Sequence, residues 1–333
     1  MHSHDPAPAL EQDIARRLRR RHRRDAAGAL LYILPAAAIV LIFRLVPILA
    51  AFTFSFYEIK MGALVGFVGV GHYVKLFQDP TFWHSLGTTL WFVLGTVPPA
   101  IFVSLFFALL LNRKIKALGL YRTIYFMPVV TSMVAVAVIW KWILEPELGI
   151  LNFFMERLHL GRPGWLAESR GVFQLMLDPG GRWLPGWAGG PSLALVSLAM
   201  VNTWKGLGYN IVIFLAGLQN IPQQQYEAAR IDGAGNWQLF RHVTWPILSP
   251  TTFYVFIMST IVSFQTFSLV YLMTSPPGGP EDSTKVLVYY LFDKGFTPPA
   301  SLGRASAVAL VLFLIILGLT MVQRRLAERR VHY

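Results

Sequence analysis

The 333-residue sequence contains no cysteine. A disulfide framework, a thiolate metal site and a thiol nucleophile are therefore excluded, and cysteine usage gives no reading of the redox compartment. Charge is scarce as well: 14% of residues are charged, and 17 acids stand against 29 Lys and Arg, for a formal net charge of +12. No lysine follows a glycine anywhere. A phosphate loop, which needs Gly-Lys-Ser/Thr at a helix start, is thus absent, and the chain does not hydrolyse ATP by that device. Gly-x-Ser-x-Gly elbows, His-Glu-x-x-His helices and Gly-x-Gly-x-x-Gly turns are missing too. His2 and His4 are the nearest approach to a metal pattern, and a terminal tail accounts for them better than a site. His72, His84, His159 and His242 fall in connections or at the ends of apolar runs, as interfacial histidines do.

What is abundant is grease. Hydrophobic residues make up 55% of the chain, and the mean hydropathy is positive, which argues against water as the main solvent. Six apolar segments stand out, at 26–57, 85–111, 123–144, 191–218, 246–274 and 305–323. Each reaches the roughly 20 residues that an α-helix needs to cross the hydrocarbon core. None shows the period-2 alternation of barrel strands, so the pattern predicts an all-α membrane protein with six transmembrane helices. Pro47, Pro98 and Pro99 predict local kinks.

The basic residues set the expected orientation. Arg16, Arg17, Arg19, Arg20, Arg21, Arg23 and Arg24 precede the first segment; Arg113, Lys114, Lys116 and Arg122 lie in the second connection; Arg324, Arg325, Arg329 and Arg330 follow the last segment. By the positive-inside rule both termini and the even-numbered connections face the cytoplasm. The expected organisation is a basic cytoplasmic tail (1–27), a six-helix transmembrane domain (28–324) and a short cytoplasmic tail (325–333). The same arm is read as anchoring at anionic membrane lipid rather than as binding nucleic acid. Its apolar sequel is too long for a signal-peptide core, so an uncleaved first span is expected.

The fourth connection holds "YEAARIDGAGNWQLFRHVTWP", a polar break between two apolar runs. Pro222 suits the first turn of a short helix with Asn220 as its cap, and Gly233 suits the left-handed residue that ends it. A second short helix through Trp237, Leu239, Phe240 and Val243 returns the chain to the bilayer, with Trp245 as an interfacial anchor before Pro246. On physics alone a passive amphipathic loop and a docking element for a cytosolic partner stand even.

Glu227-Ala228-Ala229, three residues, Gly233, nine residues, then an apolar residue and Pro246 resembles the EAA loop of binding-protein-dependent ABC import permeases. The resemblance extends to "VGVGHYVKLFQDPTFWHSLGTTLWFV" from Val68, "LEPELGILN" from Leu144, "LAGLQNIP" from Leu215, and "GGP" with Thr284 and "YYLFDKGF" near the C-terminus. These look like the carbohydrate-uptake branch, similar to the maltose and glycerol-3-phosphate permeases, over about residues 30–323. Val243 and Trp245 stand where that family usually has Ile and Leu. The piece 168–187 in the third connection (145–190) looks like an insertion.

The resemblance implies a type I ABC importer permease fold with a cytoplasmic EAA coupling helix in a loop at 221–245, in the bacterial inner membrane. It implies a chain that is not an enzyme, binds no cofactor, and carries a sugar (a di- or oligosaccharide, or a related polyol or sugar phosphate) using ATP consumed by two partner ATP-binding cassette subunits. A second, different permease and an extracytoplasmic solute-binding protein complete the implied set. Glu227, Ala228, Ala229, Asp232 and Gly233 would then couple to the ATPase subunit. Asn202, Gly206 and Tyr209 match sugar-binding positions of the maltose permease, and Gln265 matches another. Packing between helices accounts for Asn202 and Gly206 equally well. Lys205, beside them, is expected either to face a wet cavity, where it would favour an anionic solute, or to snorkel or pair; Arg44 poses the same question. Trp140, Trp142, Trp165, Trp183 and Trp187 read as an interfacial belt rather than as sugar-stacking residues. An ion-coupled secondary transporter is the rival, but the six apolar cores contain no Asp or Glu. An integral-membrane lipid or glycan enzyme is a weaker one, since Glu281-Asp282 is the only adjacent acidic pair outside the tails.

Overall fold

The computed structural model describes residues 28–29, 31–60, 62–113, 116–178, 180 and 188–328. The basic N-terminal arm, His2, His4, Lys114, Trp183, Trp187, Arg329 and Arg330 lie outside the described residues. The chain divides into two units, Met1–Phe54 and Ser55–Tyr333.

Among the described residues of the first unit is one long helix, α1 (Leu31–Phe54), with none of its most apolar window buried. Helices apolar on every side belong in lipid or against other protein. One π-turn, Leu41–Leu45, interrupts it, with the Val46 N–H bonded to the Leu41 carbonyl. Pro47 follows at once, and Arg44, exposed, sits inside the turn. The first span therefore stops at Phe54, not Tyr57.

The second unit opens with an antiparallel hairpin, β1 (Tyr57–Lys60) and β2 (Ala63–Phe67), pairing Tyr57 with Phe67 and Lys60 with Ala63. A short helix, α2 (Gly71–Gln78), leads to α3 (Pro80–Leu111). Asp79 caps α3, its Oδ1 accepting from the Thr81 N–H at 2.9 Å, and Pro80 fills the first turn where no donor is required. Pro98 and Pro99 lie inside α3 without ending it. The sharp bend comes elsewhere. The segment expected as one span at 123–144 is two helices, α4 (Leu118–Val130) and α5 (Met133–Ile143), meeting at 101°. Pro128 removes a backbone donor just before the break, Thr131 and Ser132 are extended, and the Ser132 hydroxyl accepts from Ala135 N at 3.3 Å to start α5.

Two short helices, α6 (Ile150–Arg157) and α7 (Val172–Leu177), precede α8 (Leu193–Gln219). Within this connection Asn152 donates to the Pro146 and Pro163 carbonyls and accepts from the Trp165 indole at 2.7 Å, so Trp165 is a structural peg. Trp142 is exposed, and Trp140 meets Trp204 edge to face. The insertion-like piece is described only as far as 178 and at 180; Gly171 bridges to Ser192 and so ties it to the start of α8.

After α8 come α9 (Gln223–Ile231), α10 (Asn236–Phe264), α11 (Ser268–Met273), α12 (Leu287–Phe296) and α13 (Leu302–Glu328). Among the described residues four helices are long and apolar enough to cross a membrane, α1, α3, α10 and α13, and the α4–α5 pair makes a fifth if it counts as one span. α8 is as long as the others, but Asn202, Lys205 and Asn210 interrupt its apolar run. The expected fifth span at 246–274 ends at Phe264; the chain breaks at Gln265 and resumes as α11.

α8 is the axis of the second unit. Leu215 and Leu218 join Leu105, Leu239, Val243 and Leu248 in one buried cluster near the 223–236 hairpin. Leu195 and Leu198 join Phe92, Leu269 and Val286 in another at the opposite end. Close approach needs small residues: a Cβ at Gly217 would lie 2.7 Å from the Thr251 hydroxyl on α10.

Candidate functional site: a docked hairpin and a polar cavity

The hairpin is built as the sequence suggests, with two revisions. Asn220 caps the end of α8 rather than the start of α9, and Pro222 itself occupies the N-cap position. The return limb is not a separate short helix but the first turns of α10, continuous through a π-turn at Phe240–Thr244. α9 ends as expected. Gly233 has φ +80°, and the Ala234 N–H reaches back to the Ala229 carbonyl at 2.9 Å, closing the left-handed cap. The Gln238 side chain accepts from Gly235 N at 2.8 Å and starts α10.

The alanine pair is split by the helix. Ala229 packs with Tyr226 and Ala234 on the cluster around Leu239 and Val243, while Glu227, Ala228, Asp232 and Gly233 are exposed. A hydrogen bond of 3.0 Å joins the Tyr226 and Thr244 hydroxyls across the hairpin. The hairpin is thus fixed to the bundle by its inner face and leaves its charged face free. Ile231 and Trp237 are 86% and 68% exposed, an apolar pair on a polar loop.

The cavity lies farther along α8. It has a volume of 320 Å³, at the low end of the ~300–1,000 Å³ typical of small-molecule sites, and Asn202, Lys205, Gly206 and Tyr209 all line it. Gln265 does not: it is the exposed C-cap residue of α10, outside the lining. The sequence reading missed Thr96, Asn210, Ser259 and Ser263, which also line it. Their signal was weak, since Ser and Thr in apolar helices usually bond their own backbone. Thr96 Oγ1 is buried and without a partner among the described residues.

Lys205, which the sequence leaves without a partner, has two. Its Nζ donates to the carbonyls of Pro128 at 3.1 Å and Thr131 at 2.9 Å. Main-chain acceptors have no side-chain signature, so sequence inspection does not find them.

At the end of the unit opposite the hairpin, an ion-pair cluster ties the start of α3 to α12. Asp79 Oδ2 accepts from the Tyr290 hydroxyl at 2.8 Å and pairs with Lys294 at 3.1 Å. Nearby, the Ser301 hydroxyl donates to Glu58 at 2.9 Å. Burial alone would raise the Asp79 pKa, but the bonds from Tyr290, Lys294 and Thr81 N together hold it at about 2, against 3.8 for a free aspartate. A depressed carboxyl pKa contributes stability that is fully present above about pH 4 and lost as pH falls through 2. Asp79→Asn keeps the cap and removes the ion pair. The variant is expected to melt lower at neutral pH, having lost on the order of 1 kcal/mol of stability because a partly exposed pair is screened, and to converge with the parent near pH 2. Melting curves in detergent between pH 6 and pH 2 check this; a constant gap would assign the effect to packing.

Helices of membrane-spanning length around a polar cavity, with a helical hairpin docked on one end, have the build of a transport component. Residues 100–332 match the family described as "Binding-protein-dependent transport system inner membrane component", and the chain belongs to that family. It is 34% identical over 302 residues to the lactose transport system permease protein LacF of Rhizobium radiobacter, covering 90% of this chain and 94% of that protein. It is 32% identical over 305 residues to the sn-glycerol-3-phosphate transport system permease protein UgpA of Yersinia pestis, with 91% and 95% covered. Among solved structures, a bacterial ABC transporter involved in the import of the acidic polysaccharide alginate matches with TM-score 0.72 at 21% identity, over 95% of this chain and 100% of that one. Its likeness carries the fold, that of an ABC importer permease.

Proposed function

We propose that this chain is the transmembrane permease subunit of an ATP-driven importer for a saccharide or polyol, and forms the solute path with a second, different permease. In this reading both termini and the hairpin face the cytoplasm, and the span order follows the basic connections set out above. Two ATP-binding cassette subunits consume the ATP; the permease itself binds no cofactor. The exposed face of the hairpin, Glu227, Ala228, Asp232 and Gly233, seats in a groove of one of them, with Ala229 securing the helix from behind. A solute-binding protein delivers the sugar at the opposite end, a role supported by the alginate transporter solved in complex with its alginate pentasaccharide-bound periplasmic protein.

The observation that carries the reading is the shared helix. α8 runs from the cavity lined by Asn202, Gly206 and Tyr209 to the cluster on which the hairpin sits, so a push on the hairpin has a stiff route to the path. Amide and hydroxyl groups with one tyrosine suit sugar hydroxyls, and the unpartnered Thr96 hydroxyl adds a hydrogen-bonding position. Lys205 is engaged by carbonyls, which favours a neutral saccharide over a sugar phosphate. Of the named relatives, the lactose permease fits a neutral saccharide, whereas the sn-glycerol-3-phosphate permease is named for an anionic polyol phosphate, so the preference for a neutral solute rests on the engagement of Lys205.

Co-purification from native membranes tests the assembly: an ATPase and a second permease are expected in the eluate. Solute transport by the purified chain alone under an ion gradient would instead establish the secondary transporter.

A further inference from the structure

We infer that Lys205 is a positioning residue, the strut that fixes the bend between α4 and α5 and so sets one wall of the solute path. Four observations converge on this. The last carbonyls of any helix lack intrahelical donors, and α4 ends at a 101° bend where Thr131 and Ser132 are extended; the Thr131 N–H still reaches the Met127 carbonyl, and the carbonyls from Pro128 onward are left without ladder partners. Within a bilayer such carbonyls must be met by protein donors or by water in a cavity that they line. The Lys205 ammonium donates to Pro128, one of these last helical carbonyls, and to Thr131, just past the terminus. A cation there also meets the negative end of the α4 dipole.

Gly208 sets the distance. It lies one turn beyond Lys205 on α8, and a Cβ there would fall 2.2 Å from the Tyr125 carbonyl oxygen and 2.9 Å from Val129 Cγ2. α8 thus touches the α4 backbone directly at Gly208, while Lys205 reaches past the contact to the helix end. Val129 and Met133, flanking the bend, line the cavity together with Lys205 and Asn202. Losing the strut therefore alters the path itself. A lysine suits the task because its ammonium carries three donors on a flexible stem.

The experiment uses the assembled importer in liposomes and exploits the absence of cysteine from this chain, which is spin-labelled before it is combined with its partners. Spin labels on Ile124→Cys in α4 and Val138→Cys in α5 report the bend as an interspin distance. The parent is expected to give one narrow distribution. Lys205→Met should shift or broaden it and lower the maximal uptake rate by about tenfold or more, with the half-saturating solute concentration unchanged. Lys205→Arg should restore both the distance and the rate. If Lys205→Met fails to assemble, Gly208→Ala, which drives α4 away with Lys205 intact, should give the same distance change. An unaltered distance in the Lys205→Met or Gly208→Ala importer overturns the proposal. So does a raised half-saturating concentration with an unaltered distance, which would make Lys205 a solute ligand. The distance readout does not depend on transport, so failure of the saccharide reading would leave it interpretable.

Discussion

Gly233→Trp is expected to leave the chain in the membrane, and the ATPase subunits active, while solute uptake falls by about a hundredfold. The reasoning separates two costs. A Cβ at Gly233 meets nothing within 4 Å, so space is not the constraint; the constraint is the backbone, at φ +80°. Placing any other L-residue there costs about 1 kcal/mol or somewhat more, which the hairpin can absorb because Tyr226, Ala229 and Ala234 anchor its inner face. Gly233→Ala should therefore lose uptake only mildly, and Gly233→Asn, which tolerates the left-handed region best, least of all. Tryptophan adds the same strain plus an indole on the exposed face beside Asp232, where the ATPase subunit is proposed to seat. Uptake and phosphate release measured together in liposomes read the ratio of solute moved to ATP spent. A Trp variant as active as the Ala variant would remove the hairpin from the drive train.

Much of this architecture can be read from the residues, and the misses share a physical cause. Hydropathy locates α3 and α13 to within a few residues, because a run that must fill the hydrocarbon core cannot hide. α8 is legible although it is the least apolar of the long helices, since Asn202, Lys205 and Asn210 interrupt a pattern that is otherwise continuous. The bend at Thr131–Ser132 is not: Pro128 is one of several prolines in apolar runs, and nothing local distinguishes it from Pro98 and Pro99, which α3 accommodates. The β1–β2 hairpin is equally hidden. Its pairing depends on distant contacts such as the bridge from Lys60 to Ser301 and the bond from Ser301 to Glu58. At the site, the short-range signal of Glu227 to Gly233 was sufficient to give the hairpin cap, whereas Gln265 was named by its resemblance to a family position, and the end of α10 at Phe264 leaves it outside the cavity. Four of the five residues named for the path line one cavity because they share a single helix, whose 3.6-residue period is the most dependable geometry a sequence offers.

That shared helix also supplies the second large effect. Gly206 lines the cavity, and a Cβ built there meets no atom within 4 Å, so the position accepts a side chain that projects into the path. Replacing glycine within a helix removes its entropic penalty of roughly 0.5–1 kcal/mol relative to alanine. Gly206→Ala is accordingly expected to be no less stable than the parent and to transport normally. Gly206→Trp sets an indole in a space of 320 Å³ and should abolish uptake, a loss of about a hundredfold or more. Unlike the hairpin variant, it leaves the proposed ATPase contact untouched, so ATP hydrolysis in response to solute-loaded binding protein should persist and become futile. The pair of variants thus cuts the proposed machine at two places: Gly233→Trp parts the motor from the path, and Gly206→Trp closes the path while the motor runs. Normal uptake through the Gly206→Trp importer would show that solute passes elsewhere, and the side chains of α8 would then be packing groups rather than the wall of a channel.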